Sequence, residues 1–168
     1  CAQRAVDIFG EGVSLVVDAS KEDLLIGVCG AGAMGRGIVQ VASVGGVRVK
    51  VFDINNEQLK EALKFIDNML GRAVEKGRME EKTRQDAVSR IELVGAISDF
   101  SDCEIVIEAA TENLEIKKKI FAEIEDVVSD NTIIATNTSS LSVTTIASAC
   151  KRPERIAGFH FFNPVPLM

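Results

Sequence analysis

Short apolar runs alternate with longer amphipathic segments along the chain from residue 24 onward. Continuous apolar runs are typical of strands buried on both faces of a parallel sheet, whereas apolar residues spaced three and four apart predict helices. The alternation therefore predicts an α/β fold with a doubly wound, mostly parallel sheet and helices on both faces. Strands are predicted over 24–29, 47–52, 91–94, 104–109, 132–136 and 156–162.

The segments between these runs carry the predicted helices. The longest spans 57–76 and ends near Gly77, because glycine commonly follows a helix C-terminus. A charged segment over 80–90 predicts a second helix. Another helix begins at Thr111 or Asn113, and a short one, with Ser140 as a possible cap, ends by Ala149.

The first apolar run ends in three glycines, Gly30, Gly32 and Gly35, in the spacing G-x-G-x-x-G. In this spacing the first glycine permits a tight turn, the second leaves bare backbone for a pyrophosphate, and the third allows the helix to pack closely. The N–H groups at the start of the next helix, around Ala33 and Met34, would then face the anion. The alternative is a structural turn that binds nothing.

The second apolar run is followed by an acid, Asp53, at the distance expected for a dinucleotide site. A carboxylate there can accept hydrogen bonds from both ribose hydroxyls of an adenosine and would repel a 2′-phosphate. The sequence therefore favours NAD over NADP.

The charge balance limits the classes of partner. With 25 acids against 19 bases, the net charge is −6, and no basic cluster favours nucleic acid or an anionic membrane surface. No apolar run approaches the roughly 20 residues of a membrane span, and no signal peptide opens the chain.

Four cysteines without a C-x-x-C pair and a single histidine argue against a metal site and suggest a reducing compartment, with cytoplasm as the expected location.

Several polar residues follow the carboxyl ends of the predicted strands, where ligands bind in open parallel sheets. His160 could accept a proton from an alcohol; the alternative is a core histidine. Ser139 could hydrogen-bond a substrate oxygen, or cap a helix. No G-x-S-x-G elbow supports acyl transfer. The candidates at this edge also include Glu112, Asn137 and Asn163.

Five motifs occur in one order: GAGAMGRGI, Asp53, EAATENLEIK, ATNTSSL and GFHFFNPVPLM. Together they resemble the 3-hydroxyacyl-CoA dehydrogenases, including the 3-hydroxybutyryl-CoA dehydrogenases. The resemblance implies a Rossmann-type NAD-binding domain over 24–168, preceded by an extension or linker over 1–23. It also implies that NAD interconverts a (3S)-3-hydroxyacyl-CoA and its 3-ketoacyl-CoA.

The resemblance also assigns roles to residues. His160 corresponds to the general base, Ser139 to the contact with the substrate oxygen, and Asn163 to a residue that orients both. Lys76 matches a contact to the phosphates of CoA. The positions assigned to the cofactor, beyond the glycine turn and Asp53, are Ala109, Glu112, Lys117 and Asn137. Glu112 could instead complement a helix dipole, and Lys117 could be only surface charge.

The chain ends before the K-L-V-E segment whose Glu pairs with the family's catalytic histidine, and before a helical second domain. We therefore expect this chain to bind NAD but to turn over acyl-CoA poorly. In the parent protein we expect a homodimer formed through that domain. Three alternatives stay open: an NAD-binding relative without activity, a different β-hydroxy-acid dehydrogenase, and a module of a multifunctional β-oxidation enzyme.

Overall fold

The computed structural model describes residues 17, 21 and 23–165. Within this part of the chain, six parallel strands form one sheet in the order β3-β2-β1-β4-β5-β6. The chain builds one half of the sheet outward from β1 and then returns to the other side of β1 with β4. The carboxyl ends of β1 and β4 thus meet at the point where the strand order reverses, which is where such sheets bind ligands. The strands are β1 (Leu25–Cys29), β2 (Arg48–Phe52), β3 (Ile91–Leu93), β4 (Ile105–Glu108), β5 (Ile133–Thr136) and β6 (Ile156–Gly158).

Helices cover both faces of the sheet, as the pattern predicted. Asn113 caps its helix, since its side chain accepts the Ile116 N–H at 3.1 Å. The longest helix ends at the predicted place, with Gly77 at a φ of +65°. The cap of the short helix is Ser142, whose hydroxyl accepts the Thr145 N–H, so the interpretation of Ser140 as that cap is wrong. The helices are α1 (Ala33–Val44), α2 (Asn56–Glu75), α3 (Glu81–Ser89), α4 (Leu114–Val127) and α5 (Val143–Ala147).

The core lies in two layers, one on each face of the sheet. On one face Val28 and Val49 pack with Ile66 of α2, and on the other Ile134 packs with Phe121 of α4. All five residues of β1 are buried, which explains its continuous apolar run. Because both faces of the sheet are buried, the helices hold the sheet in place. The positions of the strand ends, where the site lies, are therefore held as well.

The last strand is shorter than predicted. Instead of extending over 156–162, β6 ends at Gly158, and its last sheet-type bond joins the Phe159 N–H to the Thr136 carbonyl at 3.0 Å. The Phe161 N–H then donates to the Asn137 side-chain oxygen rather than to a backbone carbonyl. This side-chain acceptor draws the chain over the end of β5, so His160 lies in a loop and not on a strand.

The predicted extension over 1–23 lies outside the described residues except at three positions. Val17 packs against the core, and Lys21 forms an ion pair with Glu104 at 3.1 Å. Within the described ranges, no helix is both long and apolar enough to cross a membrane.

Gly35 and Gly71 provide opposite tests of this packing. A Cβ on Gly35 would lie 1.8 Å from the Gly30 carbonyl oxygen, whereas one on Gly71 would meet nothing nearer than Arg84 at 3.8 Å. We expect Gly35→Ala to destabilise the chain by about 3 kcal/mol or more. We expect Gly71→Ala, within α2, to stabilise it by about 0.5–1 kcal/mol. Urea unfolding measures both; equal effects of the two changes would contradict the packing described.

Candidate cofactor and active site

The glycine turn after β1 leaves no room for side chains at two of its positions. Gly30 has a φ of +109°, and a Cβ there would lie 2.7 Å from the Ala109 carbonyl group. Gly35 packs against Gly30 itself. At Gly32, in contrast, the nearest atom to an added Cβ is Gln58 Nε2 at 3.5 Å. The backbone at Gly32 therefore faces open space that a ligand could fill.

The N-terminus of α1 presents unoccupied N–H groups to this space. Asn side chains cap α2 and α4 at the same edge of the sheet. The residue at the N-cap position of α1 is Gly32, so α1 has no side-chain cap among the described residues, and it has no acid in its first turn. Uncapped N–H groups and the positive end of the helix dipole favour an anion there. Ala33 and Met34 belong to this first turn, as the sequence predicted.

Asp53 is fixed beside the glycine turn by two backbone hydrogen bonds. Its Oδ2 accepts the Ala31 N–H at 2.8 Å, and its Oδ1 accepts the Asn55 N–H at 2.9 Å. Each carboxylate oxygen keeps further acceptor capacity. The carboxylate can therefore accept hydroxyl groups of a ligand while it stays in place.

A cleft of about 560 Å³ joins the start of α1 to the loops after β4, β5 and β6. It brings together predicted cofactor and catalytic residues that are distant in sequence. The lining residues that were predicted are Gly32, Ala33, Met34, Ala109, Glu112, Asn137, Ser139, His160 and Asn163. The lining also contains Ala110, Thr111, Phe161 and Phe162.

Ser139 and His160 form a hydrogen bond in this cleft. The Ser139 Oγ lies 3.1 Å from His160 Nε2, and both residues are exposed. The structure thus excludes a core position for the histidine. The ring of Phe162 lies 4.7 Å from the imidazole, between centroids, and covers one side of it. A hydroxyl and an imidazole side by side can contact the same substrate oxygen and move a proton from it.

Two further side chains hold the loops around this pair. Asn137 is 7% exposed, and its Oδ1 accepts the Phe161 N–H at 2.8 Å. Glu112 accepts the Thr138 hydroxyl at 2.7 Å and the Ser139 N–H at 3.3 Å. Glu112 precedes the first turn of α4, so it is placed to join two loops rather than to complement the helix dipole.

Lys117 lies beneath the cleft and does not line it. Its side chain is only 1% exposed, and its ammonium pairs with Glu108 beneath the cleft instead of lining it. The surface-charge alternative is wrong for the same reason. The available signal was the helical spacing, because Lys117, Phe121 and Ile124 lie on one face of α4 and all three are buried. Sequence reasoning also missed Glu108, an acid at the end of an otherwise apolar strand.

Lys76 lies in a different part of the molecule. It lines a groove of about 510 Å³ between α1 and α2, together with Arg72 and Arg78. The 18 residues of helix that separate it from Gln58, which lies near Gly32, correspond to about 27 Å at 1.5 Å per residue. The groove combines three cations with apolar walls formed by Val41, Val44, Met69 and Met79.

The described cysteines lack the properties of nucleophiles. Burial raises the pKa of the Cys103 thiol to about 12 and that of Cys150 to about 11. Burial also raises the pKa of Cys29 far above its usual range. Over the described part of the chain, no three His, Cys, Asp or Glu side chains are grouped so that they could hold a metal ion. The candidate chemistry is therefore concentrated at Ser139 and His160.

The strand order, the uncapped glycine turn and the adjoining acid define a nucleotide-binding α/β domain. A family model described as "3-hydroxyacyl-CoA dehydrogenase, NAD binding domain" matches residues 25–168. The chain belongs to this family.

Known members of this family are similar to this chain in both sequence and structure. A 3-hydroxybutyryl-CoA dehydrogenase of Bradyrhizobium diazoefficiens is 44% identical over 143 residues, which are 85% of this chain and 49% of that protein. A fatty acid oxidation complex subunit alpha of Pseudomonas aeruginosa is 38% identical over 151 residues, 90% of this chain and 21% of that protein. The crystal structure of an (S)-3-hydroxybutyryl-CoA dehydrogenase from Ralstonia eutropha superposes with a TM-score of 0.83 at 40% identity, covering 86% of this chain and 51% of that one. The chain thus spans about half the length of the relatives, or less.

The thiol environment predicts a distinctive pH profile for alkylation by iodoacetamide. Because only the thiolate reacts, and the pKa of Cys150 is about 11, its rate should rise about tenfold for each pH unit from 8 to 10. A cysteine in an unfolded peptide, with an ordinary pKa of about 8.5, should approach its plateau within that range. Peptide mapping by mass spectrometry follows each site. A plateau at Cys150 below pH 9.5 would contradict the assigned environment.

Proposed function

We propose that this chain binds NAD and forms the cofactor-binding part of an enzyme that oxidises (3S)-3-hydroxyacyl-CoA to 3-ketoacyl-CoA and catalyses the reverse reaction. One observation carries the proposal: a single cleft connects the uncapped N-terminus of α1 with the Ser139–His160 pair. An anion-binding end and a proton-accepting end within one cleft suit a dinucleotide and an alcohol lying side by side.

The residues at one end of the cleft fit the dinucleotide. The open space at Gly32 and the free N–H groups of α1 suit a diphosphate. The Asp53 carboxylate suits the adenosine ribose and disfavours a 2′-phosphate. Bound NAD would supply the hydride acceptor for the reaction. Ala109 and Asn137, which line the cleft after β4 and β5, would hold its nicotinamide end.

At the other end, His160 acts as the general base. Its imidazole takes the proton of the substrate 3-hydroxyl as the hydride leaves C3, the carbon that carries this hydroxyl. Ser139 hydrogen-bonds the substrate oxygen and, at 3.1 Å from His160 Nε2, keeps that oxygen within reach of the base. Asn163, on the same loop, orients the substrate. In the reverse direction the imidazolium returns the proton to the ketone oxygen.

The Lys76 groove is our candidate for the phosphates of CoA. Lys76, Arg72 and Arg78 offer three cations to an anionic group, and the apolar wall between them can contact an adenine or a pantetheine chain. Lys76 lies about 27 Å along α2 from Gln58, which is beside Gly32 of the cleft, and this separation suits a long substrate with its acyl end in the cleft. We also propose that the complete protein forms a homodimer.

A second candidate, a module of a multifunctional enzyme, is favoured by one comparison. The Pseudomonas aeruginosa relative is named as a subunit of a fatty acid oxidation complex, and this chain matches 21% of it. The site residues predict the same dehydrogenase step in both settings. The complete reading frame distinguishes them.

Asp53 provides the test of cofactor choice. We expect the chain to bind NADH at least 100-fold more tightly than NADPH. Asp53→Asn keeps an acceptor for the Ala31 N–H but removes the charge, so NADH should bind about 10- to 100-fold more weakly, since hydrogen bonds to charged groups contribute about 1.5–3 kcal/mol. The ratio of the affinity for NADH to that for NADPH should also be smaller in Asp53→Asn than in the unmodified chain. Titration calorimetry measures both cofactors.

The matched control for this test is Asp130→Asn, which removes the same charge from an exposed position beyond the far end of α4. It should leave both affinities unchanged. No detectable heat with NADH for the unmodified chain would refute the proposed function, and an unchanged preference in Asp53→Asn would refute the role of Asp53.

Ser139 and the adjacent Ser140 test the catalytic end. In the complete protein that the gene encodes, Ser139→Ala and His160→Gln should each lower kcat for acetoacetyl-CoA reduction by about 10²- to 10⁴-fold. Ser140→Ala should retain kcat within about twofold, because its hydroxyl has no assigned partner at the site. NADH affinity should change little in all three. Full activity of His160→Gln would refute the role of His160 as the general base, whereas no activity in the unmodified complete protein would favour an NAD-binding relative without dehydrogenase activity.

A further inference from the structure

A buried ion pair lies directly beneath the proposed nicotinamide end of the cleft. Glu108, the last residue of β4, is 0% exposed, and Lys117 of α4 is equally inaccessible. The Lys117 ammonium contacts one carboxylate oxygen of Glu108, and the Thr136 hydroxyl also donates to that oxygen at 3.2 Å. Neither charge lines the cleft, and the proposed reaction uses neither of them.

The other carboxylate oxygen of Glu108 points to the backbone that does line the cleft. Glu108 Oε1 accepts the Ala110 N–H at 2.9 Å and the Thr111 N–H at 3.4 Å. These amides belong to the turn through which the chain leaves β4. Ala109, Ala110 and Thr111 form one wall of the cleft, and Gly32 and Met34 also line it. The carboxylate thus bonds the underside of this wall.

The same turn also contacts the glycine turn. Gly30 approaches Ala109 and Ala110 so closely that a Cβ would lie 2.7 Å from their backbone atoms. A displacement of the β4 turn would therefore be transmitted to the start of α1. The conformation of residues 109–111 sets the separation of the two walls between which a dinucleotide would lie.

We propose that Glu108 is a positioning residue for the cofactor: its carboxylate fixes the turn over residues 109–111, and Lys117 holds that carboxylate in place. The effect on NAD affinity rests on the proposed function. The requirement for an acceptor beneath the turn does not. Lys117 then acts through Glu108 rather than by touching the cofactor.

A purely structural role for the ion pair would not require residue 108 to keep an oxygen acceptor for the Ala110 N–H. Buried ion pairs can often be replaced by apolar residues of similar volume without loss of stability. The hydrogen bond from the Ala110 N–H to Glu108 is partly buried, and an N–H group that loses its acceptor in such a position is destabilised locally. The oxygen acceptor and the charge pair can therefore be separated by mutation.

Two double variants separate them: Glu108→Gln with Lys117→Met, and Glu108→Met with Lys117→Met. Both remove the two charges, and Gln and Met have similar shapes, but only Gln retains an oxygen for the Ala110 N–H. We expect the two variants to have similar free energies of unfolding in urea. We expect the Gln variant to bind NADH within about threefold of the unmodified chain, and the Met variant to bind about tenfold more weakly.

Hydrogen exchange without cofactor gives a second readout. The Ala110 amide should exchange slowly in the unmodified chain and in the Gln variant, and at least tenfold faster in the Met variant. Neighbouring amides of β4 serve as controls and should be unchanged. In the complete enzyme, the Met variant should raise the KM for NAD with little change in kcat.

Each outcome decides the proposal. Equal NADH affinity and equal Ala110 exchange in the two double variants would overturn it. Should the Met variant fail to fold, a fast-exchanging Ala110 amide in the unmodified chain would overturn it, and a protected one would support it. If the unmodified chain binds no NADH, the proposed function fails, while the exchange of Ala110 still tests the positioning of the turn.

Discussion

The close packing of the Gly30–Gly35 turn is the constraint on which the rest of the site depends. Gly30 lies against the backbone after β4, and Gly35 lies against the carbonyl of Gly30. These contacts bring the start of α1 close to the sheet and leave the backbone at Gly32 open. The Ala31 N–H between them donates to Asp53, so the acid after β2 is set by the same turn.

Much of the fold could be predicted from local pattern. The first strand is buried on both faces and therefore reads as an unbroken apolar run, and Asn113 and Gly77 mark helix ends by chemistry that operates within one turn. The end of β6 could not be predicted this way. It depends on a hydrogen bond from Phe161 to Asn137, 24 residues earlier. The aromatic residues Phe159, Phe161 and Phe162 continue past the end of the strand, so the local pattern does not mark it.

The site, like the fold, could be predicted only in part from the sequence. Motif spacing predicted that Gly32, Glu112, Ser139 and His160 would meet at one edge of the sheet, and the cleft contains all four. The resemblance assigned Lys117 to the cofactor, but only the structure shows that it lies on the buried face of α4 and pairs with an acid beneath the cleft. Its partner Glu108 lies on a strand, nine residues away, so the pairing required knowledge of how α4 packs on β4.

The shortness of β6 has a consequence for how the cleft can vary among proteins of this family. His160 lies beyond the last ladder bond of the sheet, on a segment anchored by side chains such as Asn137 and Ser139. Substitutions at the exposed residues Phe159 and Phe162 can therefore shift His160 relative to Ser139 without altering strand register or the core. A sheet that ends just before the loop of His160 allows the Ser139–His160 end of the cleft to vary separately from the glycine turn at its other end.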